Sequence, residues 1–221
     1  MVSCNVRNRP RQLPSLQANR RALNVFPLAE DITRSETRDE MQSTRGATCR
    51  PRSLRLEGRP FYSRRVDEIE ARLEELGLSL PAPMDPPGNF RLVNVHGQVA
   101  YVAGHAPMDG SNVIVQGTVG GDLTLEEGYQ AARLAGLSIL ASLKKELGTL
   151  DRVTRWLRVV GYVHSAPGFH DNAKVVNGFS DLVIELWGEA GKHARSAPGQ
   201  GPSPLNVPII VDAVVAVSEQ P

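Results

Sequence analysis

The chain has 221 residues, of which 41% are hydrophobic and 22% are charged, and its formal net charge is +1. No apolar run approaches the roughly 18 residues needed to span a membrane, so a membrane protein is not expected. The two cysteines are Cys4 and Cys49, so the rest of the chain has no disulfide framework, no cysteine-based zinc site and no cysteine nucleophile.

The charge is divided unevenly between two parts of the chain. Residues 1–65 contain fourteen Arg, no Lys and six acidic residues, whereas residues 66–221 have a net charge of −7. Residues 1–65 lack a helical or strand period, which predicts a basic, disordered leader before a folded domain of residues 66–221. The leader is interpreted as a wrongly assigned start, an organelle transit peptide or a nucleic-acid-binding arm. The expected location is the cytoplasm, or a mitochondrion or plastid if the leader is a transit peptide.

After residue 65 the hydrophobic pattern becomes regular. VDEIEARLEELG has apolar residues at helical spacing, starting with Val66, and predicts a helix that stops at Gly77. The four prolines of PAPMDPPG then interrupt the chain. FRLVNVHGQVAYVAG predicts two strands joined by a hairpin turn at His96-Gly97-Gln98, and NVIVQG predicts a short third strand.

The strongest pattern lies between residues 124 and 148. Thr124 and Glu127 have the spacing of a capping box, apolar residues recur at helical positions, and Gly148 is suited to end the helix. A strand in DRVTRWLRVVGYVHS, a helix in HDNAKVVNGFSDLVIELWGEAG and a strand in VPIIVDAVVAV are predicted to follow.

The predicted order is therefore an N-terminal helix followed by β-β-β-α-β-α-β. This order is typical of an α+β fold in which a single sheet carries two helices on one face. The other face of the sheet would be apolar, so we expect oligomerisation to cover it.

Several segments together resemble the Rid family, also known as YjgF-type or L-PSP endoribonuclease proteins. VAYVAGHAPMDG stands where the family has a strand ending in Ser-Gly-Gln-x-Pro, and GDLTLEEGYQAARLA resembles its first long helix. KVVNGFSDL resembles its second helix, and ARSAPG with VPIIVDAVVAV resembles its Ala-Arg-Ser segment and final strand. The resemblance covers residues 66–221 and is greatest to a divergent branch of the family.

The resemblance implies a chorismate-mutase-like fold, a homotrimer and ligand clefts between subunits. It also implies hydrolysis of reactive enamines or imines, such as 2-aminoacrylate, to a 2-keto acid and ammonia. The family arginine that binds the substrate carboxylate corresponds to Arg195, and a guanidinium is suited to bidentate binding of a carboxylate. The alternative for Arg195 is an ion pair with a nearby Asp or Glu.

Three further positions correspond to functional positions of the family. Gly104 corresponds to a glycine whose backbone faces the ligand, with a plain strand-end turn as the alternative. Asp212 corresponds to a glutamate and is a candidate to activate the attacking water, with a charge on a solvent-facing strand as the alternative. His105 replaces a glutamine and is a candidate for proton transfer, with a surface or hydrogen-bonded histidine as the alternative.

Phe90 and Asn177 complete the predicted ligand-binding residues. Phe90 corresponds to a family tyrosine without its hydroxyl, and Ala197 replaces a family cysteine, while Asn177 lies in the second helix. These departures support a second hypothesis, a trimer that binds a carboxylate ligand without turning it over. The third hypothesis, a ribonuclease, is disfavoured by the net charge of −7 of residues 66–221.

No metal and no cofactor are expected. The five histidines are scattered and include no His-x-x-x-His pair. GTVGGD lacks the Gly-Lys-Ser/Thr of a phosphate-binding loop and predicts a turn. The expected partners are therefore a small carboxylate-bearing ligand and further copies of the chain, without membrane or nucleic acid.

Overall fold

The computed structural model describes residues 68–219. The predicted leader and Val66 lie outside these residues. The helices are α1 (Glu68–Glu75), α2 (Leu125–Leu147) and α3 (Asn172–Trp187), with short 3-10 turns at Leu150–Arg152, Gly188–Gly191 and Pro204–Asn206. The strands are β1 (Val93–His96), β2 (Val99–His105), β3 (Met108–Asp109), β4 (Asn112–Val113), β5 (Val153–His164), β6 (Ala194–Ser196), β7 (Gly199–Gln200) and β8 (Ile209–Val217).

One mixed sheet forms the centre of the fold, in the order β1-β2-β8-β5, with β6 and β7 both beside β5 at the far edge. The neighbours β1, β2, β8 and β5 run antiparallel, whereas β6 and β7 run parallel to β5. The hairpin between β1 and β2 turns through two residues, Gly97 and Gln98, and Gly97 has a φ of 57° that favours glycine. This architecture confirms the predicted α+β, chorismate-mutase-like fold, including its extra N-terminal helix.

The predicted third strand differs from the structure. Only Asn112 and Val113 are extended, and they pair with Met108 and Asp109 in a separate two-stranded ladder. Hydrogen bonds explain the separation, since the backbone of Met108 bonds to Ser138 Oγ on α2 at 2.8 and 3.2 Å. This hairpin is therefore tied to α2 and does not extend the edge of the main sheet.

Helices α2 and α3 cover one face of the sheet. Thr124 and Glu127 form the predicted capping box, with a bond of 3.2 Å from the Glu127 amide to Thr124 Oγ1, and Gly148 caps the other end of α2. The two helices approach closely where Gly178 of α3 lies against the backbone of Tyr129. Within the described part of the chain, no helix combines the length and apolar character needed to cross a lipid bilayer.

The opposite face of the sheet, here called the open face, carries both apolar and charged side chains. Tyr101 of β2 and Leu157 of β5 expose 52% and 38% of their surface there. Cross-strand register places Arg158 beside Val214, and Val160 beside Asp212, on this face. The expectation of a purely apolar face is therefore met only in part, because Arg158 and Asp212 interrupt it.

Candidate functional site

The residues predicted to form one site lie in four places of the single chain. Arg195 and Asn177 meet at the β6 edge, and Gly104 and Asp212 are neighbours on the open face. Phe90 precedes β1 at the opposite edge of the sheet. His105 lies in the core and is fully buried. The structure therefore brings the predicted residues together as two pairs and leaves Phe90 and His105 apart from them.

Arg195 is held against α3 by neutral acceptors. Its Nη1 donates to Asn177 Oδ1 and to Ser180 Oγ, both at 2.9 Å, and its Nη2 donates to the Ala173 carbonyl at 3.3 Å. A guanidinium has five N–H donors, so two of them have no protein partner among residues 68–219. The alternative ion pair is not formed within these residues, so the positive charge remains available to an anion.

A second layer of hydrogen bonds supports this arginine. His193 Nδ1 lies 2.7 Å from the Gly191 carbonyl, and its Nε2 lies 3.2 Å from Ser180 Oγ. The carbonyl requires a proton on Nδ1, so Nε2 accepts from Ser180, while the Ser180 oxygen accepts from Arg195. Burial, and in addition the charge of Arg195, lower the pKa of His193, which favours this neutral form. The chain of contacts fixes the direction of the Arg195 side chain.

Asp212 lies in the middle of the sheet, where the pairing between β2 and β8 is irregular. Val102 pairs with Ala213 and His105 pairs with Val211, so that Ala103 and Gly104 together stand opposite Asp212. This is a β-bulge, a feature that bends a strand and redirects its side chains. Burial raises the pKa of the Asp212 carboxyl, and the nearby Tyr162 hydroxyl and the charge of Arg158 act in the opposite direction.

Gly104 packs against β8, the strand that contains Asp212, and this packing restricts the size of the residue at position 104. A Cβ atom at Gly104 would lie 2.7 Å from Cγ2 of Ile210. The γ-methyl group of a β-branched residue has little freedom to move away, because it sits directly on Cβ. Close packing against Ile210 is therefore a structural reason for a glycine at this position. The backbone of Gly104 is also exposed beside Asp212.

His105 has two hydrogen bonds inside the core. Its Nδ1 lies 2.7 Å from the Ala103 carbonyl, and its Nε2 lies 2.8 Å from Ser142 Oγ. Burial lowers the pKa of His105, so the neutral ring is favoured. These contacts correspond to the hydrogen-bonded alternative for this histidine, and they place the ring on the helix side of the sheet, away from Asp212.

Phe90 is half exposed and lines a small concavity of about 170 Å³, together with Leu92 and Ser142. Other concavities of about 630 Å³ and 400 Å³ lie beside α1 and beside the proline-rich segment. None of these three concavities is lined by Arg195 or Asp212.

Sequence reasoning missed most of the groups that surround the two charged side chains. These are Ser180, Ala173 and His193 around Arg195, and Tyr162 and Arg158 around Asp212. Alternation in RVVGYV would have placed Arg158 and Tyr162 on one face. Their position beside Asp212 depends on strand register, which the sequence pattern does not supply. No group of three or more His, Cys, Asp or Glu within residues 68–219 has the arrangement of a metal site.

Comparisons with known proteins agree with this architecture. Residues 70–216 match the model of the family described as YjgF/chorismate mutase-like, candidate endoribonuclease. Protein TCP17 of Trypanosoma cruzi is 35% identical over 151 residues, which cover 68% of this chain and 94% of that protein.

Two solved structures share the fold at comparable identity. The protein Atu1372 of Agrobacterium tumefaciens is 37% identical with a TM-score of 0.63, covering 68% of this chain and 92% of that one. A candidate endoribonuclease from Shewanella oneidensis is 33% identical with a TM-score of 0.65, covering 67% of this chain and 99% of that one. The similarity extends over nearly the whole length of each relative.

Proposed function

Because the chain belongs to the YjgF/chorismate mutase-like family, we propose that it is a hydrolase of small enamines and imines. Its substrates are of the 2-aminoacrylate type, and its products are the 2-keto acid and ammonia. The observation that carries this proposal is the Arg195 guanidinium, which is held by three neutral acceptors and retains donors for a carboxylate. A family member with such a group is suited to a small substrate that carries one carboxylate.

The proposed site lies between copies of the chain. Arg195 bonds to α3 on the helix side of the sheet, whereas Asp212 lies on the open face, so one chain does not direct both groups at the same small molecule. Phe90 lies near the other edge of the sheet. A second copy placed against the open face would bring its Arg195 towards Asp212 and would cover Tyr101 and Leu157. We propose a homotrimer, as the family resemblance implies.

The proposed mechanism uses binding, orientation and one proton acceptor. Arg195 holds the carboxylate while the enamine tautomerises to the imine. A water molecule at Asp212 adds to the C=N carbon and gives a proton to the Asp212 carboxylate, which passes it to the imine nitrogen, so that a carbinolamine forms and Asp212 is ionised again. The carbinolamine then releases ammonia and leaves the 2-keto acid. Orientation of water and imine in a shielded cleft supplies most of the rate, and Asp212 acts in its ionised form.

The test is the release of ammonia and keto acid from enzymatically generated 2-aminoacrylate. We expect Arg195→Ala to lose roughly 100-fold or more in kcat/KM, as removal of a charged hydrogen-bonding group at a carboxylate would. Arg72→Ala is the matched control, because Arg72 is an exposed arginine of α1 whose ion pair with Glu75 is at the surface. Full turnover in Arg195→Ala would refute the proposal.

A binding function without catalysis is the second candidate. It is favoured by Phe90, which has no hydroxyl, and by Ala197, which has no thiol. Calorimetry with pyruvate and 2-ketobutyrate distinguishes the two functions, since tight binding that depends on Arg195, with no turnover of 2-aminoacrylate, supports the binding protein. The net charge of −7 of residues 66–221 disfavours a polyanionic substrate such as RNA.

A further inference from the structure

Asp212 has two polar neighbours on β5 that its own strand does not supply. In the antiparallel pairing of β5 with β8, Val160 stands directly opposite Asp212, while Arg158 pairs with Val214 and Tyr162 pairs with Ile210. Arg158 and Tyr162 are therefore the two diagonal neighbours of Asp212 on the open face. Diagonal side chains on a sheet start roughly 7–8 Å apart and are within reach of long and aromatic residues.

The strand on the other side of Asp212 offers no comparable partner. On β2 the bulge places Ala103 and Gly104 opposite Asp212, and neither has a polar side chain. Tyr101 pairs with Val214 and is the remaining titratable side chain of β2 on this face, and His105 points into the core. Within the described part of this chain, the charged and titratable groups around Asp212 on the open face are thus Arg158, Tyr162 and Tyr101.

We propose that Tyr162 is a positioning residue for Asp212: its hydroxyl donates to one carboxylate oxygen and leaves the other directed at the water of the hydrolytic step. This inference rests on the proposed function. The carboxylate lies at the surface of a sheet, where its side chain would otherwise rotate between staggered positions. A fixed donor on the neighbouring strand removes this freedom, and Arg158 supports the negative charge from the other diagonal.

The electrostatics of the two groups are consistent with this role. Burial raises the pKa of Asp212, and the nearby Tyr162 hydroxyl and the Arg158 charge, from its two diagonal neighbours on β5, act in the opposite direction. Conversely, the Asp212 charge is the largest cause that raises the pKa of Tyr162, so the phenol keeps its proton and remains a donor. Removal of the hydroxyl should therefore leave Asp212 with a carboxyl group that is harder to ionise.

The first readout is independent of activity. The pKa of Asp212 is measured by following the carbon-13 NMR resonance of its carboxyl group through a pH titration, in the full chain and in two variants. This resonance is assigned by its absence from the spectrum of Asp212→Asn. In Tyr162→Phe we expect the midpoint to rise by roughly half a pH unit or more. Tyr101→Phe is the matched control, since it removes a hydroxyl from the same face and should not move the midpoint. An unchanged midpoint in Tyr162→Phe, or an equal rise in both variants, overturns the proposal.

The second readout is the pH dependence of ammonia release. Since Asp212 acts in its ionised form, kcat/KM falls on the acidic side, and in Tyr162→Phe this fall should move to higher pH by the same amount as the NMR midpoint. An acidic limb that stays in place in Tyr162→Phe overturns the positioning role. If the wild-type chain shows no turnover, the deaminase proposal fails, while the NMR titration still decides whether Tyr162 controls the Asp212 carboxyl.

Discussion

His105 should make the stability of the fold depend on pH, and replacing it with glutamine should remove that dependence. The neutral ring is fully buried and bonded to the Ala103 carbonyl and Ser142 Oγ at 2.7 and 2.8 Å. Its folded-state pKa is lowered by burial, whereas the unfolded chain titrates near 6.5. The unfolded state therefore binds the proton first as the pH falls, so stability is lost below pH 6.5.

The magnitude follows from proton linkage. A single proton that binds only the unfolded state changes the free energy of unfolding by about 1.4 kcal/mol per pH unit well below the unfolded pKa. Between pH 7.5 and pH 5.5 this amounts to at most about 1.4 kcal/mol for one histidine, the limit in which the folded state binds no proton. The absolute stability of His105→Gln will also change, but the difference in slope between the two proteins isolates this residue.

The assay is urea unfolding of both proteins at pH 7.5 and pH 5.5, at one fixed chain concentration, because any oligomer adds a concentration-dependent stability. His170→Gln is the matched control, since His170 is an exposed histidine in the turn before α3. We expect the wild type and this control to lose more free energy of unfolding than His105→Gln on acidification, by up to about 1.4 kcal/mol. Equal losses in all three proteins would refute the reasoning.

Two further predictions concern the candidate site. Asn177→Ala removes one of the three acceptors of Arg195. It should raise KM, or the Kd of a keto acid, by roughly five-fold with little change in kcat, because a hydrogen bond to a charged group is worth about 1 kcal/mol or more. Steady-state kinetics or calorimetry measures this effect, and an unchanged KM and Kd would contradict it. Gly104→Ala should lower the free energy of unfolding by about 1–3 kcal/mol, because the new methyl group would overlap Ile210. Gly201→Ala, where a Cβ atom meets no neighbour within 4 Å, should be close to neutral in the same urea titration, and equal stabilities of the two variants would argue against the overlap.

The regular elements were predictable because each has a local cause. The capping box of Thr124 and Glu127 and the two-residue hairpin turn at Gly97 each depend on only a few adjacent residues, and both form as expected. The short strands β6 and β7 were not predicted, since ARSAPGQ has no alternation and its extended form depends on pairing with β5. A short strand whose extended form depends on pairing with a distant strand is hard to predict from its own residues.

The direction of His105 shows the same limit at the level of one side chain. Strict alternation from Val99 and Tyr101 would place residue 105 on the open face, close to Asp212. The bulge at Ala103 and Gly104 adds one residue to the count, so His105 turns into the core and Gly104 turns outward. The sequence identified both positions as special, but their faces were decided by a register shift that only tertiary structure reveals.

The two edges of the sheet are poor templates for the addition of strands from other chains. An exposed edge strand with a long row of unpaired N–H and C=O groups is a template for the addition of further strands. At one edge β1 has four residues, and at the other the pairing with β5 is broken at Ala197 and Pro198, whose ring nitrogen has no hydrogen to donate. Neither edge therefore presents a long continuous row of backbone donors and acceptors with which a strand of another chain could pair.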